Sequence, residues 1–188
     1  LFRSLAGTGI LLDGVVGGFF SNIEILRPTY IGINLAGDAG GTTSFNTFIN
    51  VNIEILASSS YAGIFLQGTL NKGNACHNSF LTTRVSFDKS ANGIVLGGCD
   101  NNYFAMTNLY CPTSGVSGYG VLIDPNQLAG LPPGNNTFYH LEASERGWYQ
   151  PSNFVGLAAR VYSYMRDNAQ PNPVAPLSDA TTPYPGHI

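Results

Sequence analysis

The phrase Asn22-Ile23-Glu24-Ile25-Leu26 recurs letter for letter as Asn52-Ile53-Glu54-Ile55-Leu56, thirty residues on. If the two phrases stack as neighbouring strands, one carboxylate sits over the other. Two acids held about 4.8 Å apart resist joint ionisation, so one of them should keep its proton to higher pH. A raised and an ordinary carboxylate about 5 Å apart are the acid and nucleophile of retaining glycoside hydrolysis. Glu24 and Glu54 are therefore the candidate catalytic pair. The plain alternative is a hydrated polar face on which Arg84 offsets their charge.

A second chemistry is sugar recognition, because pyranose rings stack on aromatic faces while amides and carboxylates hold their hydroxyls. Tyr103, Tyr110, Tyr119, Tyr139, Trp148 and Tyr149 crowd the later part of the chain. Tyr110 and Tyr139, with Asn108 and Glu142, are the candidate carbohydrate contacts. His77, His140 and His187 show no metal-ligand spacing, nor do Cys76, Cys99 and Cys111, so neither a metal nor a cofactor is expected. The cysteines read as small buried hydrophobes, with a Cys76 to Cys99 bridge left open. Asn135-Asn136-Thr137 is a glycosylation triplet that matters only in a secreted eukaryotic protein.

What must position these residues is a repeat. Gly followed by aliphatic, any residue and aliphatic occurs at Gly9-Ile10-Leu11-Leu12, Gly32-Ile33-Asn34-Leu35, Gly63-Ile64-Phe65-Leu66, Gly93-Ile94-Val95-Leu96 and Gly120-Val121-Leu122-Ile123. The intervals are 23, 31, 30 and 27 residues. The Glu24 phrase and its weaker relatives at Arg84, Asn108 and His140 follow each copy, and Asn-x-Phe precedes four of them, at Asn46, Asn78, Asn102 and Asn136. Alternation along a strand sends Ile10 and Leu12, and their equivalents, to one face. Stacked coil on coil, these become interior columns, with Asn-x-Phe at a corner where amides satisfy turn backbone and Phe fills the core.

These phrases resemble the coil repeats of the pectin-lyase-like right-handed parallel β-helix superfamily, and Asp100-Asn101-Asn102-Tyr103-Phe104 is close to that family's Asn-Asn-x-Phe turn. The resemblance covers about residues 9 to 143. It implies an all-β fold, a right-handed parallel β-helix solenoid of about five coils with a Pro-rich C-terminal tail. The superfamily includes polysaccharide lyases, hydrolases, phage tail spikes and inert shafts, so it does not fix an activity. The lyases' basic catalytic residue with acidic calcium ligands has no match here, since Arg84 is the only basic residue on these strands.

Composition limits the partners. Only 10% of residues are charged and the net charge is −3, with eight Lys plus Arg scattered along the chain, which offers no basic stripe for nucleic acid. No apolar run reaches the length of a membrane span. The chain opens at Leu1 without Met and reads as a processed or partial piece of something longer. Residues 1–143 form the expected β-helix and 144–188 a C-terminal cap or extended arm, since six of the eleven prolines fall at Pro151 and beyond.

Outward positions of the first phrase, Leu11, Phe65, Val95 and Leu122, form an apolar stripe that marks an oligomer interface if left bare. The favoured reading is a virion-surface structural protein, a tail spike, fibre or capsid decoration. It would be a rigid trimeric scaffold that meets other virion proteins and host-surface polysaccharide. A carbohydrate depolymerase is the second reading. A secreted, extracellular adhesin without catalysis is the third.

Overall fold

The computed structural model describes residues 2–3, 7–37, 41–55, 60–68, 73–88, 90–111, 118–124 and 133–143, and three strands beyond. Every strand pairing among them is parallel. The first sheet stacks β2 (Thr8–Asp13), β4 (Ile31–Gly37), β7 (Ala62–Gly68), β10 (Asn92–Leu96), β13 (Val121–Ile123) and β15 (Trp148–Tyr149). The second stacks β1 (Phe2–Arg3), β3 (Phe19–Leu26), β6 (Thr47–Ile55), β9 (Ser79–Phe87), β12 (Tyr103–Tyr110) and β14 (Asn136–Ala143), with β16 (Ala159–Val161) and β17 (Tyr164–Arg166) both on β14. A short third sheet holds β5 (Thr43–Ser44), β8 (Ala75–Cys76) and β11 (Cys99–Asp100).

The protein is thus an all-β parallel solenoid. Among the described residues, three successive coils, residues 31–55, 62–87 and 92–110, contribute a strand to all three sheets, where the repeat suggested about five coils. Most of the proposed C-terminal cap lies outside the described residues.

The interior follows from alternation. Ile10, Ile33, Ile64, Ile94 and Val121 are in register, as are Leu12, Leu35, Leu66, Leu96 and Ile123. From β4 onward these residues are fully buried, and they belong to one core. Gly9, Gly32, Gly63 and Gly93, which open the first four phrases, let the two large sheets meet. A Cβ on Gly32 would stand 2.6 Å from Cγ2 of Ile53 and 2.5 Å from the carbonyl oxygen of Gly63.

The corner after the third sheet carries two side-chain ladders. The Asn46 amide donates to Asn78 Oδ1 at 2.9 Å, Asn78 to Asn102 at 3.0 Å, and Asn102 to Asn136 at 2.9 Å. Each Oδ1 also accepts the backbone N–H of the Asn one coil earlier. Two residues on, Phe20, Phe48, Phe80, Phe104 and Phe138 stack nearly parallel with centroids 4.6–4.9 Å apart. These ladders occupy the corner that the Asn-x-Phe phrase predicted.

The Asn-x-Phe phrase and the phrase after it are one strand, not two. Asn22, Asn50, Thr82, Met106 and His140 have φ of 51–62°, and each bends its strand. The left-handed residue interrupts strict alternation, so Phe48 and then Val51 both face the core. The outside of the second sheet is therefore split into two facets.

Candidate functional site

The register of the second sheet decides what can be neighbours on its outside. Phe20 pairs with Phe48, Glu24 with Asn52, and Leu26 with Glu54. The next pairings set Asn52 beside Arg84 and Glu54 beside Ser86. The outer column therefore reads Glu24, Asn52, Arg84, Asn108, Glu142. This corrects the expectation that Glu24 and Glu54 stack. They stand one strand across and two residues along, about 8 Å between Cα atoms by strand geometry. Glu54 instead lies 3.7 Å from Nε of Arg27.

The physical reason is that a slip of two residues keeps every side chain on its own face. Ile23 and Ile25 face the core in either alignment of the repeated phrase. The Asn and Phe ladders are what choose between them, and they set the offset from the first copy to the second at twenty-eight residues, Phe20 to Phe48.

The four carbohydrate candidates do come together, on the adjacent strands β12 and β14. Asn108 pairs with Glu142 and its amide donates to Oε2 at 2.7 Å. Tyr110 is exposed two residues beyond Asn108 on the same facet. Tyr139, 56% exposed, lies in register with Ala105 on the other side of the bend at His140. Tyr103 is exposed on the same side as Tyr139, and Met106 projects at the bend between the facets. Met106 was not singled out from sequence, because nothing in it marks a left-handed position; the Asn residues at equivalent bends are the available signal. This region offers aromatic faces, an amide–carboxylate pair and, one strand away, the Arg84 guanidinium.

The apolar stripe of the first sheet is not the bare surface expected. Phe65 and Val95 are buried, and with Ile31 and Ala62 they form a second apolar cluster against which Tyr61 and Leu122 pack. Tyr61 lies edge-on to Phe65 at 5.3 Å and Tyr30 stacks on Tyr61 at 5.9 Å, so the chain itself covers this face. Leu11 alone of the four is exposed. Burial, and next the Asp124 carboxylate, push the Tyr61 phenol well above its usual range.

All three cysteines are buried, and Cys76 and Cys99 are not joined in a disulfide. Cys99 is in register with Ala75, and Cys76 with Asp100, so the contemplated bridge is not formed. Burial raises both thiols, and Asp100 adds to the effect at each. His77 stacks on Phe45 at 5.2 Å, and His140 sits at a bend. Among the described residues, no three His, Cys, Asp or Glu side chains gather as a metal site would require. Compared with known proteins, the chain matches no family model, no curated protein and no solved structure.

Proposed function

We propose that this chain is a rigid structural scaffold of the virion-surface kind, a tail spike, fibre or capsid decoration working as a trimer, that adheres to host polysaccharide. The observation that carries the adhesive part is the outer face of β12 and β14. There Tyr110 is exposed on the facet of the Asn108–Glu142 pair, and Tyr103 and Tyr139 are exposed on the facet across the bend. Aromatic planes beside fixed hydrogen-bonding groups suit sugar rings, whose faces are apolar and whose edges carry hydroxyls. Rigidity is supported by the two interior ladders, which tie each coil to the next through buried amides and stacked rings. The same chemistry would serve a secreted adhesin, so the location is part of the proposal.

Adhesion is favoured over a retaining depolymerase because the register parts Glu24 from Glu54, the close carboxylate pair which that mechanism would use. A panel of capsular and lipopolysaccharide glycans, titrated against the protein, tests the reading. Binding to at least one glycan, weakened at least about tenfold in Tyr110→Ala or Tyr139→Ala, is expected for the loss of a stacking partner. No binding across the panel would overturn adhesion. Release of reducing ends or unsaturated sugars, abolished in Glu24→Gln or Glu54→Gln, would replace it with the enzyme.

A further inference from the structure

Besides Met106 on β12, a second group of strongly exposed apolar side chains lies away from the glycan-facing coils. Val16, Phe19 and Phe45 are 64%, 68% and 61% exposed, and all three lie at the corner of the first two coils. Val16 bridges Ser44, the residue before Phe45, and Phe19 pairs with Thr47, two residues after it. Ile49 extends the patch along β6 and Leu81 along β9, in register with one another.

Phe45 is the residue the fold does not explain. It has φ 57°, a left-handed conformation that a bulky side chain adopts at a cost. The equivalent corner positions in later coils are His77, Asn101 and Asn135, all left-handed as well. Asn is the residue that tolerates this conformation best after glycine. Phe45 accepts the strain and then leaves most of its ring in water, apart from its stack on His77. Burial on folding does not recompense it.

Charge indicates what covers the patch. No Asp, Glu, Lys or Arg stands at Val16–Asn22, Ser44–Asn50 or Cys76–Thr82. The neighbouring outer columns, by contrast, hold Glu24, Glu54 and Arg84. At a symmetry axis a surface meets its own copies, so any formal charge there would face the same sign. This uncharged apolar corner fits such a contact, and the facet beside it does not.

We propose that the Val16–Phe19–Phe45 corner is where a second copy of this chain docks, with Phe45 as the central anchor. The proposal rests on the reading of the chain as an assembled scaffold and moves its contact face away from the first-sheet stripe, which is largely covered. Sedimentation velocity over a wide concentration range tests it, on the wild type and on Phe45→Asn and Phe19→Glu. Phe45→Asn puts at this corner the residue that later coils already use, so the fold should be kept and its melting temperature held or raised.

The expected result is a concentration-dependent oligomer whose association is about thirtyfold or more weaker in either variant, the loss a central aromatic anchor carries. A wild-type monomer throughout would overturn assembly and this interface together. An oligomer that persists unchanged in both folded variants would overturn this interface while leaving assembly standing. Glycan binding on β12 and β14 is read separately and should survive both substitutions.

Discussion

Asn78 shows how much one side chain holds in this fold. Its Oδ1 accepts from both the backbone and the side-chain amide of Asn46, and its own amide donates to Thr43 O and Asn102 Oδ1. It is fully buried, so water cannot replace these partners. Asn78→Ala leaves donors and acceptors on two neighbouring coils unmet, at about 1–3 kcal/mol each where relaxation does not rescue them. A loss of at least about 3 kcal/mol in denaturant unfolding is expected. A change below about 1 kcal/mol would mean that the ladder is incidental to stability. The residue types of this ladder were legible in the sequence because Asn-x-Phe recurs in order. The left-handed bend at Met106 was not, since a methionine there carries no local signature of the conformation it adopts.

At the level of elements, the strands could be read from alternation but their register could not. Strand periodicity has a two-residue ambiguity, and the repeated Asn-Ile-Glu-Ile-Leu phrase favoured the alignment that the ladders reject. Identity of letters is weaker evidence than a buried amide that must find its partner. The outer stripe failed for a different reason. Parity correctly placed Phe65 and Val95 off the main core, but no pattern within one strand reveals that Tyr61 packs against their cluster, with Tyr30 stacked on Tyr61. The close approach of the two large sheets gives a prediction of its own. Gly32→Ala puts a methyl against Ile53 and the Gly63 carbonyl. A destabilisation of about 1–3 kcal/mol by thermal or chemical unfolding is expected for this overpacking, and a neutral outcome would show that the sheets can move apart freely.

Across the whole molecule, one stacked interior supports outer surfaces of different character. The first-sheet face is largely buried, with Tyr61 packed against it, the early corner is apolar and without Asp, Glu, Lys or Arg, and the late coils carry exposed tyrosines beside an amide–carboxylate pair. All of this rests on the register that the corner ladders impose, because that register separates Glu24 from Glu54 and gathers Asn108 with Glu142. Paired cysteines measure it directly. A disulfide needs Cα atoms within about 7 Å, which neighbouring strands satisfy at about 4.8 Å and a two-residue diagonal of about 8 Å does not. The native thiols are buried, so introduced pairs on the outer face can be oxidised selectively. Glu24→Cys with Asn52→Cys should form an intramolecular disulfide under mild oxidation, while Glu24→Cys with Glu54→Cys should stay reduced. Ready bridging of the second pair and not the first would contradict the register, and would restore the two glutamates as neighbours.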